Sequence, residues 1–208
     1  MWNRLKLDPR LSQNNLHAIS HSEVSDFGFK PDDQVWVFSY SKNSEENLAL
    51  LAKLKNSGVE RVVYVSSSSV RVMTRTDCYE YPRVKQIAER AALDIPSARV
   101  LTLGLVYGEE SELPSGTNIC TSLADMVSFF NQPVWPAQDK YVRLFTTVSR
   151  PFNSSLDELS YKLYGWAVVR LGRYPCFLRP VDLLLRTLGV RWYGYTYLST
   201  KLWTSTTS

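Results

Sequence analysis

Histidine and cysteine are scarce in this chain. There are two histidines, His17 and His21, and three cysteines, Cys78, Cys120 and Cys176, in 208 residues. The cysteines are odd in number and far apart, with no Cys-x-x-Cys, so neither a zinc site nor a disulfide framework is expected, and a reducing, cytoplasmic compartment is. His17 and His21 stand four apart, but in a segment that reads as strand and loop, where that spacing does not pair two imidazoles on a metal. Glycine is sparse as well: of nine, only Gly28 and Gly58 precede residue 100. No run approaches 18 uncharged apolar residues, which excludes a membrane span and leaves no membrane partner expected. The opening MWNRLKLDPR lacks the apolar stretch of a signal peptide. Charge of one sign is also weak. The net +4 comes from 24 basic and 20 acidic residues, which is compatible with an anionic small ligand and too weak and scattered to argue for nucleic acid, so no nucleic-acid partner is expected.

What is present is an ordinary globular composition, 44% hydrophobic and 21% charged, enough to bury a core without metals or disulfides. Arg4–Leu11 suggests a short helix and Leu16–Ile19 a weak strand; Pro31-Asp32-Asp33 marks a turn. Gln34–Ser39, β-branched and aromatic, reads as a buried strand. A helix follows, capped by Asn43 or Ser44, with Glu45 and Glu46 in its first turn, apolar positions at Leu48, Leu51 and Leu54/Lys55, and Gly58 closing it. Arg61–Val65 is a second buried strand. Strand, helix, strand is a βαβ unit, and such units build parallel sheets. Further along, Tyr81–Leu93 reads as a helix with Pro82 in its first turn and Arg99–Val106 as a third strand. Thr117–Phe130 reads as a helix and Tyr141–Val148 as a strand. Ser155–Leu171 and Pro180–Leu188 are amphipathic helices, and Trp203–Ser208 is a polar, frayed tail. The expectation is an α/β architecture, a core over residues 1–110 and a more helical, substrate-side region over 111–208.

Two features carry chemistry. The second strand runs into Ser66-Ser67-Ser68-Ser69, and in parallel sheets ligands sit at the carboxyl ends of strands. Such a run also serves as a plain turn cap. Tyr81 and Lys85 then stand four apart on one helix face. An ammonium beside a phenol favours the phenolate and makes the tyrosine a general acid/base; an exposed surface pair is the bland alternative.

GVERVVYVSSSSV, YPRVKQIAER and the strand ending in Val106-Tyr107-Gly108 together resemble the extended short-chain dehydrogenase/reductase superfamily, and within it the nucleoside-diphosphate-sugar epimerases and dehydratases. The resemblance covers residues 16–110 well and the rest weakly. It implies a Rossmann-like parallel sheet flanked by helices, NAD or NADP as cofactor, a nucleotide-sugar substrate and a possible homodimer. It also implies three roles: Tyr81 as acid/base, Lys85 holding the nicotinamide ribose and lowering the tyrosine pKa, and Ser67 binding the substrate oxygen, with Ser66 and Ser68 as alternatives. The family's helix asparagine corresponds to Asn43, which reads equally as a helix cap.

The departures are specific. The family's GxxGxxG is missing, and by the resemblance the chain is expected to begin inside the family's first helix, with the sheet N-terminally truncated and without its central first strand. Arg71-Val72 stand where Tyr-Gly is common, and Gly104 where Arg-Pro is common. A truncated or non-catalytic homologue acting as a binding or structural protein is therefore the competing expectation. Among other residues, Cys78 reads as a small packing residue. Tyr195, Tyr197, Trp192, Tyr193 and Trp203 read as cover for the helical region or as a stacking surface. Arg150, Arg170, Arg173 and Arg179 read as solvated or as diphosphate partners.

Overall fold

The computed structural model describes residues 19, 23–24, 26–38, 41–96, 98–131, 139–171, 174–187 and 194–205. The expected helix at Arg4–Leu11, nearly all of the strand at Leu16–Ile19, and His17, His21, Trp192, Tyr193 and Arg173 lie outside them.

Strand β1 (Gln34–Val37) leads to helix α1 (Ser44–Asn56) and strand β2 (Arg61–Ser67). Asn43 caps α1, its side chain accepting from the Glu45 amide, and Gly58 leaves the helix at φ +72°, a conformation that suits glycine. The buried face of α1 is Asn47, Leu50, Leu51 and Leu54, so the expected core position Leu48 is wrong: it lies 38% exposed. The helix is rotated so that its 47/50/51/54 row, one continuous helical face, meets the sheet. A 3-10 segment (Ser68–Thr74) follows β2, then helix α2 (Glu80–Leu93) and strand β3 (Ala98–Leu103).

The expected third strand, Arg99–Val106, divides at Gly104: β4 (Leu105–Tyr107) belongs to another sheet. The expected helix Thr117–Phe130 is likewise two elements, strand β5 (Gly116–Ser122) and helix α3 (Leu123–Phe130). Ser122 is the junction, its side chain accepting from the Asp125 amide, which is the serine-x-x-acid signature of a helix start. The expected strand Tyr141–Val148 also divides, at Phe145, into β6 (Tyr141–Leu144) and β7 (Thr146–Arg150). Helix α4 (Ser155–Leu171) falls where expected. Helix α5 (Pro175–Thr187) starts earlier than the expected Pro180, with Pro175 as its first-turn proline and Pro180 inside it. Helix α6 (Gly194–Thr204) includes Trp203 and Thr204, expected to be frayed.

The main sheet is parallel throughout, in the order β1-β2-β3-β6, with Val62 opposite Ala98 and Ser67 opposite Leu103. The second sheet is β4-β5-β7, with β5 and β7 antiparallel. Strand alternation sorts the core of the main sheet onto two faces. Val62 and Tyr64 of β2 pack with Leu50, Leu51 and Leu54 of α1 and Ala88 and Ala92 of α2. Val63 and Val65 pack with Leu101, Leu103 and, from α3, Met126, Val127 and Phe129. Helices thus cover both faces, the doubly wound α/β arrangement expected. A third cluster joins Val72 and Cys78 to Tyr161, Tyr164, Val168, Tyr197 and Leu198.

The chain changes sheets at Gly104 and Phe145, and at Gly104 the crossing backbones come into contact. A Cβ at Gly104 would lie 2.5 Å from the Ile119 carbonyl oxygen and 2.7 Å from the Cys120 nitrogen. The buried Thr121 hydroxyl accepts from the Gly104 amide at 2.9 Å and donates to the Leu144 carbonyl, tying both crossing points together.

Candidate functional site

The site is built where β2 ends and α2 begins. α2 buries Pro82, Val84, Lys85, Ala88 and Ala92, so the face that grips the sheet carries one cation among apolar groups. Lys85 is only 5% exposed. Its Nζ donates to the Val65 carbonyl oxygen at 3.0 Å and lies 5.1 Å from the centre of the Tyr64 ring. Burial lowers its pKa from 10.5 to about 8, opposed by the negative charge of Glu89. A lysine in such a position holds its proton loosely.

Glu89, one turn further along α2, was not singled out by the sequence reading. It accepts a 2.6 Å hydrogen bond from the Ser66 hydroxyl. Burial raises its pKa above 4.5, opposed by the Ser66 bond, Arg90 and Lys85. The signal available was its spacing from Lys85, four residues on the same face. Its partner on the strand, 23 residues away, was not visible.

The serines of the run have separate duties. Ser66 donates to Glu89. Ser67, half-buried, caps the 3-10 segment: its Oγ accepts from the Ser69 amide at 3.3 Å and from the Ser69 hydroxyl at 2.9 Å. With Ser67 Oγ accepting both, its own hydrogen remains available to an external acceptor. The Ser68 carbonyl is held from α6 by the Ser199 hydroxyl at 2.8 Å and the Trp203 indole N–H at 3.0 Å. Two guanidinium groups lie over the Trp203 ring, Arg71 at 4.7 Å and Arg143 at 4.8 Å from its centre.

Tyr81 sits in the first turn of α2, half-buried, its ring stacked on Tyr195 of α6 at 5.7 Å and 28°. Tyr79 meets the same Tyr195 edge-on. Lys85 thus meets β2 at the Val65 carbonyl, Ser66 is tied to α2 through Glu89, Ser67 ends β2 with Ser69 as its partner, and Tyr81 rests against α6.

Other residues raised by the sequence are structural. Asn43 is the α1 cap. Arg150 donates to the Ser111 carbonyl at 3.0 Å and to the Leu113 carbonyl, and Arg179 donates to the Cys78 carbonyl at 2.9 Å. Tyr197 is buried against α4, where a Cβ on Gly165 would lie 1.8 Å from its hydroxyl oxygen. Among the described residues, no group of three or more His, Cys, Asp or Glu could hold a metal ion, and no helix is long and apolar enough to cross a membrane.

A nicotinamide dinucleotide needs two kinds of contact. For the ribose end, Tyr81 and Lys85 are the residues the resemblance implies. The pyrophosphate end needs glycines opening a helix. Among the described glycines before residue 100, Gly58 closes α1 and Gly28 precedes β1, so the described residues supply no such cradle.

No protein-family model and no curated protein matches the chain. Solved structures do. MoeE5 in complex with UDP-glucuronic acid and NAD is 21% identical over 58% of this chain, with a TM-score of 0.39. dTDP-4-dehydrorhamnose reductase (rfbD) from Bacillus anthracis str. Ames, in complex with NADP, is 13% identical over 60% of the chain, with a TM-score of 0.41. TunA, an NAD-dependent NDP-hexosamine 5,6-dehydratase, is 14% identical over 95% of this chain and 82% of its own, with a TM-score of 0.44. The chain spans about half the length of the first two, 54% and 53%. At such identities and TM-scores no residue role is transferred from them.

Proposed function

We propose that this chain carries the acid–base half of a sugar-nucleotide epimerase or dehydratase site of the NAD(P)-linked type. The observation that supports it most is the placement of Lys85, whose ammonium reaches back from α2 to the Val65 carbonyl at 3.0 Å, next to the serines that end β2. In this reading Tyr81 takes and returns the proton of a sugar hydroxyl. Lys85, one turn along, lends positive charge to that phenol. Ser67 donates to the sugar oxygen; the commitment of the Ser66 hydroxyl to Glu89 favours Ser67 over Ser66 for this role. A bound nicotinamide would supply the hydride chemistry. No pyrophosphate cradle for it lies among the described residues.

Calorimetric titration of the chain with NAD(H) and NADP(H), up to millimolar, tests the reading. Binding is expected, weakened by Lys85→Met and kept by Tyr81→Phe. Turnover of a nucleotide sugar is expected to fall at least a hundredfold in Tyr81→Phe, the usual scale for a lost general acid/base. No affinity for any of the four cofactor forms would overturn the enzyme reading. It would favour a binding or structural role on the same fold, the reading that the absence of a pyrophosphate cradle among the described residues supports.

A further inference from the structure

Tyr81 stands in the first turn of α2, where a helix is held least by its own hydrogen bonds. The N-cap there is Tyr79, not one of the short polar residues that secure a first turn. Tertiary contacts take over that duty. Arg179 of α5 donates to the Cys78 carbonyl at 2.9 Å, just upstream. Tyr195 of α6 meets both tyrosines: its ring lies 5.7 Å from that of Tyr81 at 28° and 5.7 Å from that of Tyr79 at 68°.

The same face of α6 reaches the end of β2. Tyr195, Ser199 and Trp203 are spaced by four, so they form one stripe, about 12 Å long at 1.5 Å per residue. Its far end is fastened to the serine run. The Ser199 hydroxyl and the Trp203 indole N–H both donate to the Ser68 carbonyl, at 2.8 and 3.0 Å. Ser68 lies between Ser67 and Ser69, whose hydroxyls are bonded to each other at 2.9 Å. Fastening that carbonyl therefore fixes the turn that carries the Ser67 hydroxyl. From behind, α6 is braced on α4: the Tyr197 ring lies 4.9 Å from Tyr161 and 5.5 Å from Tyr164. A braced helix joined at one end to Tyr81 and at the other to Ser68 sets how far apart the phenol and the serine turn stand.

Resting on the acid–base reading of Tyr81 and Ser67, we infer that α6 is the positioning element of the site, with Tyr195 a positioning residue for Tyr81 and Ser199 and Trp203 holding the serine turn in register with it. Tyr195 acts through the face of its ring, so the ring matters and its hydroxyl does not. Small displacements of a reacting group are costly in rate, which is why a helix that makes no proton transfer of its own can govern turnover.

The test is NMR of the full chain with 13C-labelled tyrosine rings, the Tyr81 signal being assigned by its loss in Tyr81→Phe. That signal is expected to stay close to its native position in Tyr195→Phe and to move in Tyr195→Leu. It is also expected to move when Ser199→Ala and Trp203→Phe are combined, although these lie one and two turns along α6 from Tyr195. Tyr64, buried in the main sheet, marks an intact core and should not move. In turnover of a nucleotide sugar, Tyr195→Leu and the Ser199/Trp203 pair are expected to lower kcat about tenfold or more with KM within about twofold, and Tyr195→Phe to keep both. An unmoved Tyr81 signal in Tyr195→Leu or in the Ser199/Trp203 pair would overturn the inference. So would a Tyr195→Leu variant with the wild-type kcat, or a Tyr195→Phe variant that behaves like Tyr195→Leu. If Tyr64 moves as well, Ser199→Ala alone, which removes one hydroxyl, decides by the same Tyr81 signal. Absence of cofactor affinity would defeat the proposed function by itself, since the Tyr81 signal reports without any ligand, so the two fail separately.

Discussion

Replacing Lys85 by methionine removes a buried ammonium and keeps most of its volume. In the native protein this lysine titrates at about 8 instead of 10.5 because it is buried. The difference corresponds to about 3 kcal/mol working against the native state while the lysine is charged in both states. The sign follows from proton counting. Between about pH 8 and 10.5 the unfolded chain keeps the proton and the native chain releases it, so native stability rises with pH over that interval. The penalty is full below about pH 8 and gone above about pH 10.5. From pH 7 to pH 9.5 the wild-type protein should therefore gain about 2 kcal/mol relative to Lys85→Met, in which the contribution is absent. At neutral pH the variant is expected to be at least as stable as the wild type. The relieved penalty, about 3 kcal/mol, matches or exceeds the roughly 1.5–3 kcal/mol of the lost charge-assisted hydrogen bond to Val65. Urea unfolding of both proteins across this range, read as the difference between them, cancels the other titrating groups. A difference flat within about 0.5 kcal/mol from pH 7 to pH 9.5 would refute the burial argument, since a solvated lysine titrates alike in both states.

Three further outcomes are expected. Glu89→Gln removes the charge that raises the Lys85 pKa while keeping an acceptor for Ser66, so the interval of rising stability should begin at lower pH; an unchanged pH profile would show that the two groups do not interact. Gly104→Ala forces a methyl group against the Ile119 carbonyl oxygen at 2.5 Å, backbone against backbone, and should cost about 2 kcal/mol or more in urea unfolding; a cost below about 0.5 kcal/mol would contradict the crossing at that point. Cys120 is fully buried and its thiol is pushed up to about 12 by that burial, so iodoacetamide at pH 8 should label it only on unfolding, read by peptide mapping; labelling of the native protein at the denatured rate would place it at the surface.

Much of the main sheet was legible because its signals are local. β1, α1 and β2 announce themselves through β-branched runs, the Asn43 cap and the Gly58 stop, each within a few residues of what it specifies. Tyr81 and Lys85 were placed on one helix for the same reason: four residues along a helix is a fixed geometry. The failures share a cause as well. RVLTLGLV and the run from Tyr141 to Val148 are each continuous as patterns of hydrophobicity, and nothing within them says that their two halves belong to different sheets. Thr117–Phe130 satisfied a helical pattern even though Ser122 and Asp125 mark a helix start in its middle. The candidate site divides the same way, with Lys85 and the serine run visible and Glu89 overlooked.

The sequence by itself determined the βαβ rhythm, the helix ends and the pairing of a phenol and an amine on one turn, since these depend on steric and hydrogen-bond preferences of neighbours in the chain. Only the tertiary structure decided that Ser66 is bound to Glu89, 23 positions away, and that Ser199 and Trp203 hold the Ser68 carbonyl from 131 and 135 positions away. It also decided that Gly104 must be bare where Ile119 crosses it. Contacts at such separations are set by how the layers pack, and no local preference encodes them.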